Sequence, residues 1–198
     1  MINLTGVVSR IGYIPAGSPG PNGKAVNFPR FSAGIRIADS HIDVGDKRIP
    51  LTQQTLWVDI SCPMSRNKVD EWKVNALINK IESGEQYVLL IDAGLSSWGT
   101  PPKYSVRVGY SEFQISSTPF LNLNNVIISG TVVQQATNWL MVEERYNVKG
   151  EWKVRQLPIY LPRPCEDLLD ATVLVYGRLA TKDSNDNRSL YVIAEEVY

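Results

Sequence analysis

Apolar and polar residues alternate in short runs along most of this chain, and a strand reveals its buried face through that period of two. Phe31, Ala33, Ile35 and Ile37 alternate with Ser32, Gly34, Arg36 and Ala38. Leu56, Val58 and Ile60 alternate with Trp57, Asp59 and Ser61. The apolar members claim the core, so Trp57 stands on the nominally wet face of its strand. An indole there calls for cover by a loop of the same chain, a partner protein or a stacked base. Further on, residues 88–91 and the alternating run Tyr104, Val106, Val108, Tyr110 flank a turn over 96–103. Residues 173–176 and 190–194 flank the polar cluster 181–188 in the same manner. Gly177 interrupts the first of those runs, where a bulge or a close backbone approach is expected.

A helical period occurs once, over 68–82, with Val69, Trp72, Ala76, Leu77 and Ile81 on one stripe. That stripe makes Trp72 a core residue. Asn67 is the expected N-cap, Asp70 and Glu71 suit the first turn, Lys80 the last, and Gly84 follows as a C-cap. Residues 13–23 hold three prolines and three glycines and form a loop too long for a tight turn. Residues 41–54 read as polar and irregular, and the lone His41 is given no catalytic role.

The elements come twice. The run Ile2 to Val8 around Gly6 matches Val126 to Val132 around Gly130, the Trp57 strand matches the strand of Trp152, and the hairpin with Gly94-Leu95 matches that of Gly177. In the second copy 138–148 and 151–161 form a strand pair turned at Lys149-Gly150. Unequal spacings exclude a solenoid or propeller, which would keep a fixed period. Three strands, a helix and two strands is the order of an OB-fold, a five-stranded Greek-key barrel. The fold expected is therefore mainly β: two tandem OB-folds, residues 1–118 and 122–198, the first with a helix between its strands three and four. Pro162 and Pro164 leave the second copy room for no more than a turn of helix there.

Composition narrows the function classes. The 198 residues carry 20 basic and 20 acidic side chains, so no large basic field advertises a polyanion partner. Residues 1–120 are slightly basic and 121–198 slightly acidic, so any basic groove must come from arrangement. No apolar run approaches a membrane span. The start lacks a charged-then-apolar leader, and the two distant cysteines fit reduced thiols in a cytoplasmic protein. No nucleophile–base pair, metal cluster or phosphate loop stands out, so neither catalysis nor a cofactor is expected.

Several stretches resemble the bacterial single-stranded DNA-binding protein family: NLTGVVSRIG at 3–12, FSAGIRIADS at 31–40, TLWVDIS at 55–61 and GLSSWG at 94–99. In the second copy the likeness lies in GEWKVR at 150–155 and VYGRLATK at 175–182. The resemblance implies base stacking by Trp57, Trp98 and Trp152; in the second copy Lys182 or Asp183 stands where a counterpart of Trp98 belongs. Arg36, Lys103 and Arg107, with Arg155 and Arg178, supply cations for phosphates, the combination that sequence-tolerant single-strand binding needs. Asp59 beside Trp57 opposes it.

The resemblance also implies a homodimer in which the glycine strands meet. The family's acidic tail is not expected here, because the chain ends at Ala194-Glu-Glu-Val-Tyr198. The function expected is single-stranded DNA binding in replication, recombination or repair, strongest in the first copy. The alternative is a paralogue that uses the same faces for protein assembly in a replication, conjugation or phage system.

Overall fold

The structure, a computed structural model, describes residues 1–37, 41–44, 47–50, 54–98, 103–148, 150–182 and 189–198. Five strands form the first barrel: β1 (Ile2–Ile14), β2 (Arg30–Ile37), β5 (Gln54–Ile60), β8 (Tyr87–Trp98) and β9 (Lys103–Val108). They run in the order β8-β9-β5-β2-β1, and β8 pairs with β1 to close the ring. Each contributes one apolar face to a shared core, with Leu4, Ile35, Leu56, Val58, Leu90 and Val106 fully enclosed. Among the described residues of this barrel, the parallel pair is β5–β9, its third and fifth strands.

The second barrel repeats this with β11 (Asn124–Ala136), β12 (Trp139–Val148), β13 (Glu151–Tyr160), β14 (Thr172–Lys182) and β15 (Ser189–Val197). Here β11–β14 closes the ring and β13–β15 is the parallel pair. Both barrels are OB-folds. Among the described residues, 161–171 between β13 and β14 contain no helix. A short strand β10 (Phe113–Ser116) adds to the outer edge of β8.

Register fixes which residues correspond. Val8 faces Ile35, which faces Leu56; Val132 faces Val142, which faces Leu157. Both first strands carry a bulge one residue later. Gly6 and Gly130 correspond, and a Cβ at either would strike the carbonyl of the neighbouring strand, Arg36 or Glu143. Two equivalences read from the sequence change. Gly177 corresponds to Ala93, not Gly94, because Arg178 faces Ile193 where Gly94 faces Arg107. Trp57 corresponds to Pro158, and Trp152 lies six residues earlier, in the β12–β13 ribbon beyond the barrel.

The helix α1 (Glu71–Glu82) sits between the third and fourth barrel strands. Its N-cap is Asp70, whose carboxylate accepts from the Lys73 N–H, not Asn67. Asn67 has a positive φ in the turn between two short strands, β6 (Met64–Ser65) and β7 (Lys68–Val69). The buried stripe is Val74, Leu77 and Ile81, with Ile78 half-buried, so Trp72 points outward at 77% exposure. Two apolar stripes competed on this helix, and the one with aliphatics at three- and four-residue spacing packs.

Two loops also differ from expectation. Residues 41–50 contain a strand pair, β3 (His41–Val44) and β4 (Lys47–Pro50), and not irregular chain. The Pro/Gly-rich segment begins later than residue 13 because β1 runs on to Ile14; it then folds back on itself through Gly17 N–H to Val26 O and Val26 N–H to Ser18 O.

The glycine strands meet within one chain. Ile2, Asn3 and Leu4 face Val126, Asn125 and Asn124, which joins the barrels into one eleven-stranded sheet. Side chains reinforce the junction: Thr5 exchanges hydrogen bonds with the Leu123 backbone, and Asn124 with the Leu179 backbone.

Candidate nucleic-acid interface

On the outer face of the first barrel, β1, β2 and β5 place Arg10, Gly34 and Trp57 side by side. Trp57 is half-buried, and the Arg10 guanidinium lies over its ring, 3.8 Å from the centroid. The cover for the indole is thus partly intramolecular, through a residue the sequence reading missed. Only the strand register, with a glycine in the middle strand, reveals it.

Two residues along β5, Asp59 enters an open groove of about 850 Å³. Three cations line it: Arg30 from the start of β2, and Lys103 and Arg107 from β9. The groove also holds Phe28, which is 79% exposed, and the half-buried Cys62. Burial pushes the Cys62 thiol pKa up, which keeps it protonated at neutral pH. Asp59 is the one carboxylate among the lining residues, and it accepts a hydrogen bond from Ser105 Oγ at 2.5 Å. Arrangement therefore makes a cationic groove in a chain of zero net charge.

The remaining expected residues fall elsewhere. Arg36 is exposed at the opposite end of β2, 3.6 Å from Glu85. Trp98 ends β8 opposite Lys103, and its side chain lies outside the described residues; Lys182 takes its place in the second barrel. Trp152 is 74% exposed near the tip of the β12–β13 ribbon, opposite Asn147. Lys149, Asp183 and the rest of residues 99–102 and 183–188, where turns are expected, likewise lie outside the described residues.

Arg155 and Arg178 are engaged in the protein's own contacts. Arg155 Nε donates to Glu144 at 2.6 Å, its guanidinium lies over Tyr146, and Nη1 reaches the Leu95 carbonyl of the other barrel. Tyr104 makes a second strut between the barrels, donating to the Gln156 carbonyl. Arg178 Nε lies 2.8 Å from Glu195 Oε1, a charge contact whose angle falls short of a hydrogen bond.

No family model matches this chain, and no curated protein matches it. Among solved structures it is similar to a deletion mutant of the single-stranded DNA-binding protein from Thermus aquaticus. The two share 14% identity with a TM-score of 0.60, over 100% of this chain and 92% of that one. At that identity the likeness establishes the fold. Among the described residues no group of three His, Cys, Asp or Glu side chains could hold a metal ion. No described helix is long and apolar enough to cross a membrane.

Proposed function

We propose that this protein binds single-stranded DNA with little sequence specificity and without catalysis, in replication, recombination or repair in the cytoplasm. The observation that carries the reading is the first-barrel groove. It sets Arg30, Lys103 and Arg107 beside an exposed Phe28 and the Arg10–Trp57 pair, with its lone carboxylate held by Ser105. Cations track a phosphate backbone, and rings take bases of any identity, each worth about 1–3 kcal/mol. Trp57, Lys103 and Arg107 are the proposed contacts from the sequence, joined by Arg10, Arg30 and Phe28. Trp98 extends the set at the end of β8, and Arg36 lies further along the face. Arg155 and Arg178 serve the internal contacts of the fold.

The binding units are the barrels of residues 1–118 and 122–198. A homodimer presenting four barrels, as the resemblance implies, uses a surface other than the glycine strands, which pair inside each chain. Light scattering tests the dimer by its mass. Titration of tryptophan fluorescence with a mixed-sequence single strand at two salt concentrations tests the function. Quenching with salt-weakened affinity supports it; no response to any strand overturns it in favour of an assembly role.

A further inference from the structure

The two barrels differ most where their registers match. Ser32, Asp59 and Ser105 of the first barrel, which alternate with its core residues and of which Ser105 is itself buried, correspond to Trp139, Tyr160 and Tyr191 of the second. Trp139 faces Tyr160 directly across β12 and β13. Tyr160 faces Ile193 across the parallel pair, which puts Tyr191 diagonally beside it. All three alternate with buried neighbours: Trp139 precedes Leu140, Tyr160 follows Ile159, and Tyr191 lies between Leu190 and Val192. Trp139 is 44% exposed, and the two tyrosines are half-buried. Burial, and then the proximity of Tyr160, raise the Tyr191 phenol pKa, in keeping with that adjacency.

We infer that the second barrel carries its own base-stacking face, formed by Trp139, Tyr160 and Tyr191 with Trp152 at its far end. The inference rests on the reading of the chain as a single-strand binder. Trp152 shares the face because even-numbered residues of β13 point to one side. Eight residues at about 3.3 Å each place it about 26 Å from Tyr160 along the strand. Between them Val154, Gln156 and Pro158 face Arg145, Glu143 and Met141.

The occupant follows from this composition. A protein partner favours a contiguous apolar patch, whereas here Glu143, Arg145 and Gln156 separate the aromatic ends. A nucleic-acid strand needs only spaced rings. The position of Tyr160 is also the position that lines the cationic groove in the first barrel, as Asp59. Arg145 Nε lies 3.9 Å from Glu143 Oε1, so the face is nearly neutral where the first groove is cationic. The second barrel thus holds a strand through its rings with little charge, whereas the first adds a cationic groove to its own rings.

The test uses the full chain and an oligothymidylate of about 40 nucleotides, longer than one OB-fold site. Trp139→Ala should raise Kd between about fivefold and about 150-fold, the range of one lost stack. Trp139→Phe should recover most of the loss. The slope of log Kd against log salt should stay unchanged, since no cation is removed. Trp152→Ala, at an exposed site that folding does not need, should also weaken binding at constant slope. Wild-type affinity in both folded alanine variants overturns this inference alone. Failure of the unaltered chain to bind any strand overturns the proposed function and this inference together.

Discussion

Arg10 reaches across a neighbouring strand to stack on Trp57, its guanidinium carbon 3.8 Å from the ring centroid. The reach depends on Gly34 between them: a Cβ there would sit 3.0 Å from Arg10 Cγ and 3.0 Å from Ser9 Oγ. Arg10→Ala removes a cation–π contact worth about 0.5–1 kcal/mol at an exposed site. At about 2–4 °C per kcal/mol for a chain of this size, Tm should fall by no more than a few degrees. Thermal melts of the variant and wild type check this.

Trp57→Ala should cost well under the roughly 3–5 kcal/mol of a fully buried Trp. Strand binding should weaken by about 1–3 kcal/mol, one lost stack, with the salt dependence retained. Melting temperature and affinity of the same variant decide the point. A large fall in stability with unchanged affinity would make Trp57 purely a packing residue.

Lys103 and Arg107 should act through charge. Each alanine substitution should lower the slope of log K against log salt by about 0.7, the single-strand value per phosphate contact. The loss should be shared across strand sequences. Titrations at several salt concentrations measure both; unchanged slopes would remove the two residues from the phosphate path.

Gly177→Ala and Gly94→Ala should part company. A Cβ at Gly177 runs into the Ile193 carbonyl, whereas one at Gly94 meets nothing within 4 Å. Overpacking against backbone should cost about 1–3 kcal/mol or more at Gly177. At Gly94 the change should be neutral or stabilising, by up to about 1 kcal/mol. Denaturant midpoints of the two variants test the contrast.

Alkaline pH should weaken the fold through Tyr104. Burial raises its phenol above 10.0, so between the unfolded and folded pKa values the folded chain holds the extra proton. This contribution is complete below pH 10.0 and is lost as pH rises through the folded pKa. Tyr104→Phe should cost about 1 kcal/mol at neutral pH, from the lost hydrogen bond to Gln156. It should also flatten the alkaline limb, which Tm measured from pH 8 upward reads directly.

Much of the architecture was legible because each barrel strand buries one face. Phe31, Ala33, Ile35 and Ile37 are buried as their alternation requires, and so are Leu56, Val58 and Ile60. Equivalence between the copies was not legible at Trp57 and Trp152, because a shared Trp says nothing of how far a ribbon extends beyond its barrel. Pro158 holds the Trp57 position. Trp72 was misplaced because both candidate helix stripes are apolar. Arg10, Arg30 and Phe28 escaped notice because they meet Trp57 and the groove across strands and a loop, at no fixed distance in sequence. Trp139 was hidden for the same reason: its importance lies in facing Tyr160.

The first strand has consequences for how strand length is sensed. Ile2 and Leu4 are bonded on one side to β8 and on the other to β11. One backbone ladder therefore joins the barrels where many tandem modules have a slack tether, and the Arg155 and Tyr104 struts brace it. A tether gives the second site an effective concentration that varies smoothly with its length. A ladder instead sets a single offset between the two faces. Oligonucleotides too short to bridge that offset gain nothing from the second face, and those just long enough gain its full avidity at once. Affinity plotted against strand length should climb in a step, and the position of the step measures the spacing built into the sheet.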